Sequence, residues 1–411
     1  MEKKERLKSS IYNVNLVIDG ISYIYNTLTD NFIVNSDVSK DLIKDSDEYT
    51  VRQLKQGGFC VEEDVDEVSL LLYSYQTARY NSSVTNLFLI PSMLCNFNCE
   101  YCFTKGKNPS CMGRDTANQV IKFIYSLSKS TNQINITWGG GGEPLIAADT
   151  IVYVEEKLRK RIKIPINSTI ITNGSLLNET VSVKLENAGI SRMVITIDGP
   201  ADIHNKRRKM KSGEDSFTLI KENILRNTER FECVVRMVVD EENDSYIEDL
   251  IKSLQDIPNI KFTLLHQMDC GGNCVGNSYN KDTYKRMINN SDAYDECYFG
   301  GIKPYLSLCN ALRNFDFTIN TDGGIYKCPV ELNDTFNCIG NVRDGIEVNS
   351  SYLKWMTYNP TFTNVNCAQC QYYPICAGLC LKVREKYLCN GCEQLKIIYK
   401  DIIKNKIKKW L

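Results

Sequence analysis

Cys95, Cys99 and Cys102 stand in the run Cys95-Asn96-Phe97-Asn98-Cys99-Glu100-Tyr101-Cys102, just after the apolar stretch Leu87-Phe88-Leu89-Ile90-Pro91. Thiolates are soft ligands that suit iron–sulfur clusters, and a loop leaving a strand can wrap three of them around one cluster. Three cysteine ligands leave the fourth iron open to a small molecule. A zinc loop or three unrelated buried thiols are the plainer alternatives. A second stretch, Trp138-Gly139-Gly140-Gly141-Gly142-Glu143-Pro144, follows another apolar run. Glycines let backbone approach a ligand closely, and consecutive unhindered N–H and C=O groups can bind an ammonium or a carboxylate.

Other residues with chemical potential fall after apolar runs. Asn173 lies in Thr172-Asn173-Gly174 and Asp198 in Ile197-Asp198-Gly199-Pro200, where ordinary turn chemistry is the alternative. Arg236 interrupts the run Val234-Val235-Arg236-Met237-Val238, and a cation there needs a partner. Toward the C-terminus the series is Cys309, Cys328, Cys367-x2-Cys370-x5-Cys376-x3-Cys380, then Cys389 and Cys392. Pairs at C-x2-C spacing also allow zinc.

The elements that must hold these residues alternate. Strands are expected at Leu87–Pro91, Ile134–Trp138, Ser168–Thr172, Arg192–Ile197, Cys233–Val239 and Lys261–His266, with amphipathic helices between them. Such alternation predicts parallel strands joined by helical crossovers, and six units suit an open barrel with its chemistry at the C-terminal strand ends. Before residue 84, Asn13–Ile18, a turn at Asp19-Gly20, Ile21–Tyr25 and Asn31–Val34 read as three strands. A helix is expected from near Asp37 and another over Asp64–Tyr80. Beyond Cys270 regular signals thin out to a hairpin over Phe315–Cys328 and a last helix over Glu393–Trp410. The expected fold is α/β, a partial (β/α)6 TIM-like barrel over 85–268, with a small α+β region over 1–84 and a Cys-rich domain over 269–411.

Composition narrows the class. A chain of 411 residues with 43% hydrophobic residues can bury a large core, and a net charge of −1 gives no electrostatic argument for nucleic acid. No apolar run is long enough to span a bilayer and no export signal is evident, so a cytoplasmic protein without membrane contact is expected. Eighteen Cys with only two His, His204 and His266, argue for reduced thiols holding metal rather than a His-rich centre.

The cluster loop resembles that of the radical S-adenosylmethionine (SAM) enzymes, whose open iron chelates SAM through its amino and carboxylate groups. Gly140, Gly141, Gly142, Glu143 and Pro144 resemble the family's Gly-Gly-Glu-Pro motif, whose backbone receives the SAM amino group. The resemblance further implies SAM ribose contacts from Asn173 and Asp198, and a carboxylate contact from Arg236. Asp198 to Arg208 resembles a family motif DGPxxxHDxxR, with Asn205 in place of the usual Asp and His204 read as fold-stabilising.

The C-terminal cysteines resemble the SPASM extension. By that resemblance Cys309, Cys328 and Cys380 hold one auxiliary 4Fe–4S cluster, with Cys297 the candidate for its extra ligand. Cys367, Cys370, Cys376 and Cys392 hold a second. The implied activity is reductive SAM cleavage to a 5′-deoxyadenosyl radical that abstracts hydrogen from a precursor peptide. Electrons would come from a flavodoxin or ferredoxin. The layout is most similar to maturases of ribosomally made peptides, and a thioether from a peptide Cys to carbon is the expected product. Carbon–carbon cross-linking and sulfatase-type formylglycine formation are the enzyme alternatives. Sulfatase maturases place an Asp after the second SPASM cysteine, where this chain has Pro329. A cluster or zinc scaffold is the non-enzymatic alternative. The first 84 residues resemble, in pattern only, a leader-peptide recognition domain.

Overall fold

The structure, a computed structural model, describes residues 6–35, 43–44, 46–106, 108–267, 283, 286–287, 296–297, 309–332, 334–359, 367, 369–378, 381 and 391–411. It contains two compact units, one of residues 80–299 and 309–357, the other of residues 1–79, 300–308 and 358–411.

The second of these begins with strands β1 (Leu7–Ser9), β2 (Asn13–Ile18), β3 (Ile21–Asn26) and β4 (Asn31–Val34). Helix α1 (Glu48–Gln56), strand β5 (Cys60–Glu62) and helix α2 (Glu67–Tyr80) follow. β2, β3 and β4 form an antiparallel sheet, and β1 pairs with β5. The first hairpin turns at Asp19 (φ 48°) and Gly20 (φ 82°), the left-handed pair that a two-residue turn requires. α1 starts at Asp47, whose carboxylate accepts the Thr50 N–H at 2.7 Å. The helix expected from Asp37 begins outside the described residues.

The larger unit is built on β6 (Val84–Leu89), α3 (Arg114–Leu127), β7 (Gln133–Trp138), α4 (Ala148–Arg161), β8 (Ile166–Thr172), α5 (Glu179–Asn187) and β9 (Arg192–Thr196). It continues through α6 (Ala201–Arg207), α7 (Phe217–Leu225), β10 (Glu232–Val239), α8 (Ile247–Ser253) and β11 (Ile260–His266). β6 and β7 bury alternate residues, and Leu87, Leu89, Ile134, Ile136 and Trp138 meet α3 and α4 in one apolar core. The Trp138 indole donates to Glu155 at 2.8 Å, satisfying two buried polar groups at once.

The sheet is larger than the six strands expected. β12 (Glu296–Cys297) adds in parallel to β11. β13 (Phe317–Ile319) adds in parallel to β6, and β14 (Ile325–Tyr326) pairs antiparallel with β13. The nine-stranded order is β12-β11-β10-β9-β8-β7-β6-β13-β14, with eight parallel strands in succession. Three-residue and two-residue strands carry too little periodicity to be seen in sequence. The expected hairpin therefore belongs to the barrel sheet. β15 (Gly340–Asn341), β16 (Gly345–Ile346) and α9 (Ser350–Thr357) complete this unit. The other ends with the short α10 (Tyr373–Cys376) and with α11 (Gly391–Trp410), whose Lys406 pairs with Asp30.

Candidate active site and cluster sites

The C-terminal ends of β6 to β11 surround a cavity of about 640 Å³, within the usual range for a small-molecule site. Its wall takes Phe88 from β6, Ile171 and Thr172 from β8, Thr196 from β9, Arg236 and Val238 from β10, and Leu265 from β11. Cys95, Cys99, Cys102, Gly140, Gly141, Gly142, Glu143, Asn173 and Arg236 all line it. Cys95 and Arg236, 141 positions apart in sequence, thus converge on one space because parallel strands all end on the same side. Pro144 and Asp198 do not line it. Pro144 opens a short helical turn, Pro144–Ala147, whose Leu145 N–H is capped by Glu143 at 3.1 Å.

The cysteine loop is tied on three sides by backbone. Met93 N–H meets Ser110 O at 2.7 Å, Asn98 N–H meets Lys209 O at 2.8 Å, and Lys211 N–H meets Asn96 O at 2.9 Å. From the glycine run, Gly142 N–H reaches Ser92 O at 2.8 Å and Glu143 N–H reaches Leu94 O at 2.7 Å. The glycines are dictated by this approach. A Cβ at Gly142 would stand 1.9 Å from Leu94 O, and one at Gly141 2.6 Å from Ser92 O. Gly140, at φ 77°, lies in the left-handed region with the Phe88 ring where a Cβ would be.

Glu143 is fully engaged. One oxygen accepts the Thr172 hydroxyl at 2.6 Å and the other the Asn173 N–H at 2.8 Å. Asn173 in turn donates to Asn96 at 2.8 Å, joining the end of β8 to the cysteine loop.

Asp198 sits beneath the loop rather than in the cavity, wholly buried. Its carboxylate accepts the Tyr101 hydroxyl and the Val238 N–H (3.0 Å), and Arg208 stands 3.8 Å away. Arg208 also donates to Tyr101 and lines the cavity. The aromatic residue before Cys102 is thus anchored by a buried carboxylate and guanidinium. His204 is likewise wholly buried. Its Nδ1 accepts the Asp198 N–H at 3.3 Å, and Nε2 faces the Ser216 hydroxyl at 3.2 Å, so the imidazole is neutral. Burial pushes its pKa down to about 3. Asn205 uses its amide oxygen to accept the Ser216 and Phe217 N–H groups (3.1 and 3.0 Å), work that needs an acceptor and no charge.

The cavity-facing Arg208, Lys105, Lys211, Gln267, Pro329 and Val330 were not assigned from sequence as SAM-pocket residues. Arg208 ends the Asp198 motif, and that position was the available signal. Lys105, Lys211 and Gln267 sit on loops, and Pro329 and Val330 on the short helical turn Pro329–Glu331, whose course no local pattern reveals.

Cys95, Cys99 and Cys102 lie within electrostatic reach of one another, and a cluster takes each thiolate on a separate iron. Burial pushes the Cys99 thiol up to about 11 and raises that of Cys95, which accepts the Phe97 N–H at 3.4 Å. Such thiols become thiolates only with a compensating cation.

Cys367, Cys370, Cys376 and Cys392 form a second mutually interacting set. Burial pushes Cys376 up to about 12, and backbone N–H groups of Tyr372 and Gly378 point at Cys370 and Cys376. Cys309 and Cys328 flank the β13–β14 hairpin. Cys380, Cys389, Cys270, Cys274 and the Cys297 side chain fall outside the described residues. Cys60 and Cys233 are buried apolar thiols, and Cys111 is exposed.

Residues 89–254 match the model of the radical SAM superfamily. A radical SAM cyclopropyl synthase, TigE, from Paramaledivibacter caminithermalis is 23% identical over 98% of this chain and 87% of its own. A cysteine-type anaerobic sulfatase-maturating enzyme from Clostridium novyi is 24% identical over 78% of this chain and 96% of its own. In fold, the chain is similar to anSMEcpe with bound AdoMet (TM-score 0.65, 18% identity, 79% of this chain and 98% of that one). It is also similar to Streptococcus suis SuiB bound to its precursor peptide SuiA (TM-score 0.57, 13% identity, 92% and 97%). Residues 89–254, with the cysteine loop and the glycine cradle, are therefore a radical SAM domain, and the chain is an enzyme with 4Fe–4S and SAM as its cofactors.

Proposed function

We propose that the chain is a peptide maturase that removes hydrogen from an unactivated carbon of a ribosomally made precursor and closes a new bond there. Bound together, the cluster and SAM supply the hydrogen-abstracting radical; the protein's share is placement and exclusion of water. Cys95, Cys99 and Cys102 would hold the cluster. The Gly140–Glu143 backbone, Asn173 and Arg236 would hold SAM, with Asp198 acting through Tyr101 and the loop.

The observation that carries this reading is the part of the cavity wall next to Cys328. Pro329 and Val330, directly after Cys328, face the cavity, so the position where sulfatase maturases carry a basic Asp holds no carboxylate. Glu143 is the only carboxylate among the described lining residues, and its oxygens are taken by Leu145, Thr172 and Asn173. Among the described lining residues, a wall with no free carboxylate suits bond closure on carbon better than formylglycine formation.

For the bond itself, the thioether reading rests on Cys309, Cys328 and Cys380 leaving one iron open to a substrate thiolate, with Cys297 as the ligand that would close it. Carbon–carbon closure is the second reading, favoured by likeness to a cyclopropyl synthase over nearly the whole chain. SuiB has been solved with its precursor peptide. Here the three-stranded β2-β3-β4 sheet, with β4 paired on one side only among the described residues, supports leader recognition by the N-terminal region. Electron delivery by a flavodoxin or ferredoxin and a cytoplasmic site of action belong to the same reading; among the described residues no helix is long and apolar enough to cross a membrane.

The test is co-expression with the short peptides encoded beside the gene, followed by mass spectrometry and thiol alkylation. A thioether removes two hydrogens and one alkylatable thiol per link. Carbon–carbon closure removes two hydrogens and leaves every thiol. Formylglycine on a sulfatase-type peptide would overturn the reading.

A further inference from the structure

Asn173 follows the last residue of β8, lines the cavity and is 4% exposed. Its side-chain oxygen accepts the Ser175 N–H at 3.0 Å and the Ser175 hydroxyl at 2.7 Å. A backbone N–H can only donate, so this contact fixes which end of the amide is oxygen. The Asn173 Nδ2 donates to Asn96 Oδ1 at 2.8 Å, and Asn96 Nδ2 donates to the Ser175 hydroxyl at 2.9 Å. The three side chains thus close a ring in which each both donates and accepts, so that its bonds strengthen one another.

The ring is held from both sides. Asn96 follows Cys95 directly, and its carbonyl accepts the Lys211 N–H at 2.9 Å. At the other side the Asn173 N–H donates to Glu143 at 2.8 Å, and the buried Asn223 of α7 donates to Gly174 O at 2.9 Å. Neither Asn96 nor Ser175 lines the cavity, whereas Asn173 does. The Asn173 amide oxygen has both lone pairs taken and one of its two Nδ2 hydrogens is used. The second Nδ2 hydrogen is what the side chain has left for a ligand.

We propose that Asn96 and Ser175 are positioning residues for SAM, fixing the Asn173 amide and tying it to the Cys95 end of the cysteine loop. This rests on the reading of Asn173 as a SAM contact. A side chain with one N–H to offer binds well only when its neighbours lock its rotamer, and a ring that includes a loop residue sets that N–H relative to the loop.

The test uses the reconstituted full-length protein and the variants Ser175→Ala, Asn96→Ala and the two combined. The measurements are equilibrium binding of SAM, iron content and melting temperature. Saturable binding by the wild type is the reference for the SAM-site reading, and a wild type that binds no SAM would overturn that reading and the proposal with it. Each single variant should keep wild-type iron and bind SAM about three- to ten-fold more weakly, the range for one neutral hydrogen bond. The double variant should bind no more weakly than the weaker single, because either change opens the same ring. Wild-type SAM affinity in both singles, with or without a lowered melting temperature, would overturn the positioning role and leave the SAM site standing. Losses that multiply in the double variant would overturn the ring as the unit that acts. If Asn96→Ala fails to fold or to hold iron, Ser175→Ala, which removes a single oxygen atom, decides alone.

Discussion

Replacing Gly142 by Ala perturbs the point where the glycine cradle meets the cysteine loop. The added Cβ would stand 1.9 Å from Leu94 O, 2.4 Å from Leu94 C and 2.7 Å from Met93 C, all backbone atoms. No rotamer change relieves a clash with backbone. Ordinary contact begins near 3.4 Å, so the strand of loop ending one residue before Cys95 must retreat by roughly 1.5 Å or the Gly142–Ser92 hydrogen bond must break. Overpacking of this kind costs about 1–3 kcal/mol in stability. The larger effect falls on chemistry, because a displacement of about 1 Å at a reacting centre can cost on the order of 10²-fold in rate. The assay is 5′-deoxyadenosine formation alongside thermal denaturation, with Gly113→Ala as the control. Gly113 has open space at its Cβ position and an ordinary φ of −75° at the start of α3, so its substitution should cost no more than about 1 kcal/mol and leave turnover unchanged. Wild-type SAM cleavage by Gly142→Ala would refute the claim that close packing of the glycines sets the position of the cluster loop.

Arg236→Ala should weaken SAM binding by about 1.5–3 kcal/mol, the range for a hydrogen bond to a charged group, with Lys restoring only part of it; unchanged affinity with a lowered melting temperature would assign Arg236 to the core. Asp198→Asn leaves Arg208 without its buried counter-charge and should destabilise the fold by about 3–5 kcal/mol in chemical denaturation; wild-type stability would show that the pair does not anchor the loop. For His204, the folded pKa near 3 lies below the 6.5 of a free imidazole. Between these values the unfolded chain takes up a proton that the fold refuses, so stability falls as pH drops below 6.5. From pH 6.5 to 5 its share is about 2 kcal/mol at 1.36 kcal/mol per unit, and His204→Gln should flatten that limb of the stability–pH curve. An unchanged slope would contradict the buried, neutral assignment.

Much of the barrel was legible because its strands are long enough to show a pattern and bury at least alternate residues. Ile134–Trp138 and Cys233–Val239 read from their apolar runs, and the structure extends each by one residue only. The cysteine and glycine loops read from side-chain chemistry and spacing. What sequence could not give is tertiary in origin. β12, β13 and β14 are too short to show a period, yet they enlarge the sheet and bring Pro329 and Val330 to the cavity. Asp198 was expected at the SAM ribose. The structure turns its carboxylate to Tyr101, a contact set by the path of the cysteine loop and invisible to a motif. Arg208 shows the same limit: its burial is decided by Tyr101 and Asp198, 107 and 10 positions away in the chain. Ser175, in sequence an unremarked residue after an Asn-Gly turn, meets Asn96 only once the cysteine loop lies against the end of β8.

The central claim is that the three cysteines of the loop hold the cluster that drives chemistry on a peptide. Its most direct test is SAM-dependent 5′-deoxyadenosine formation by the anaerobically reconstituted protein under strong reduction, compared with the Cys95→Ala, Cys99→Ala and Cys102→Ala variants. The account predicts product from the wild type and none from any of the three, with iron retained at the auxiliary sites in each. SAM cleavage persisting at the wild-type rate in any one of them would contradict it.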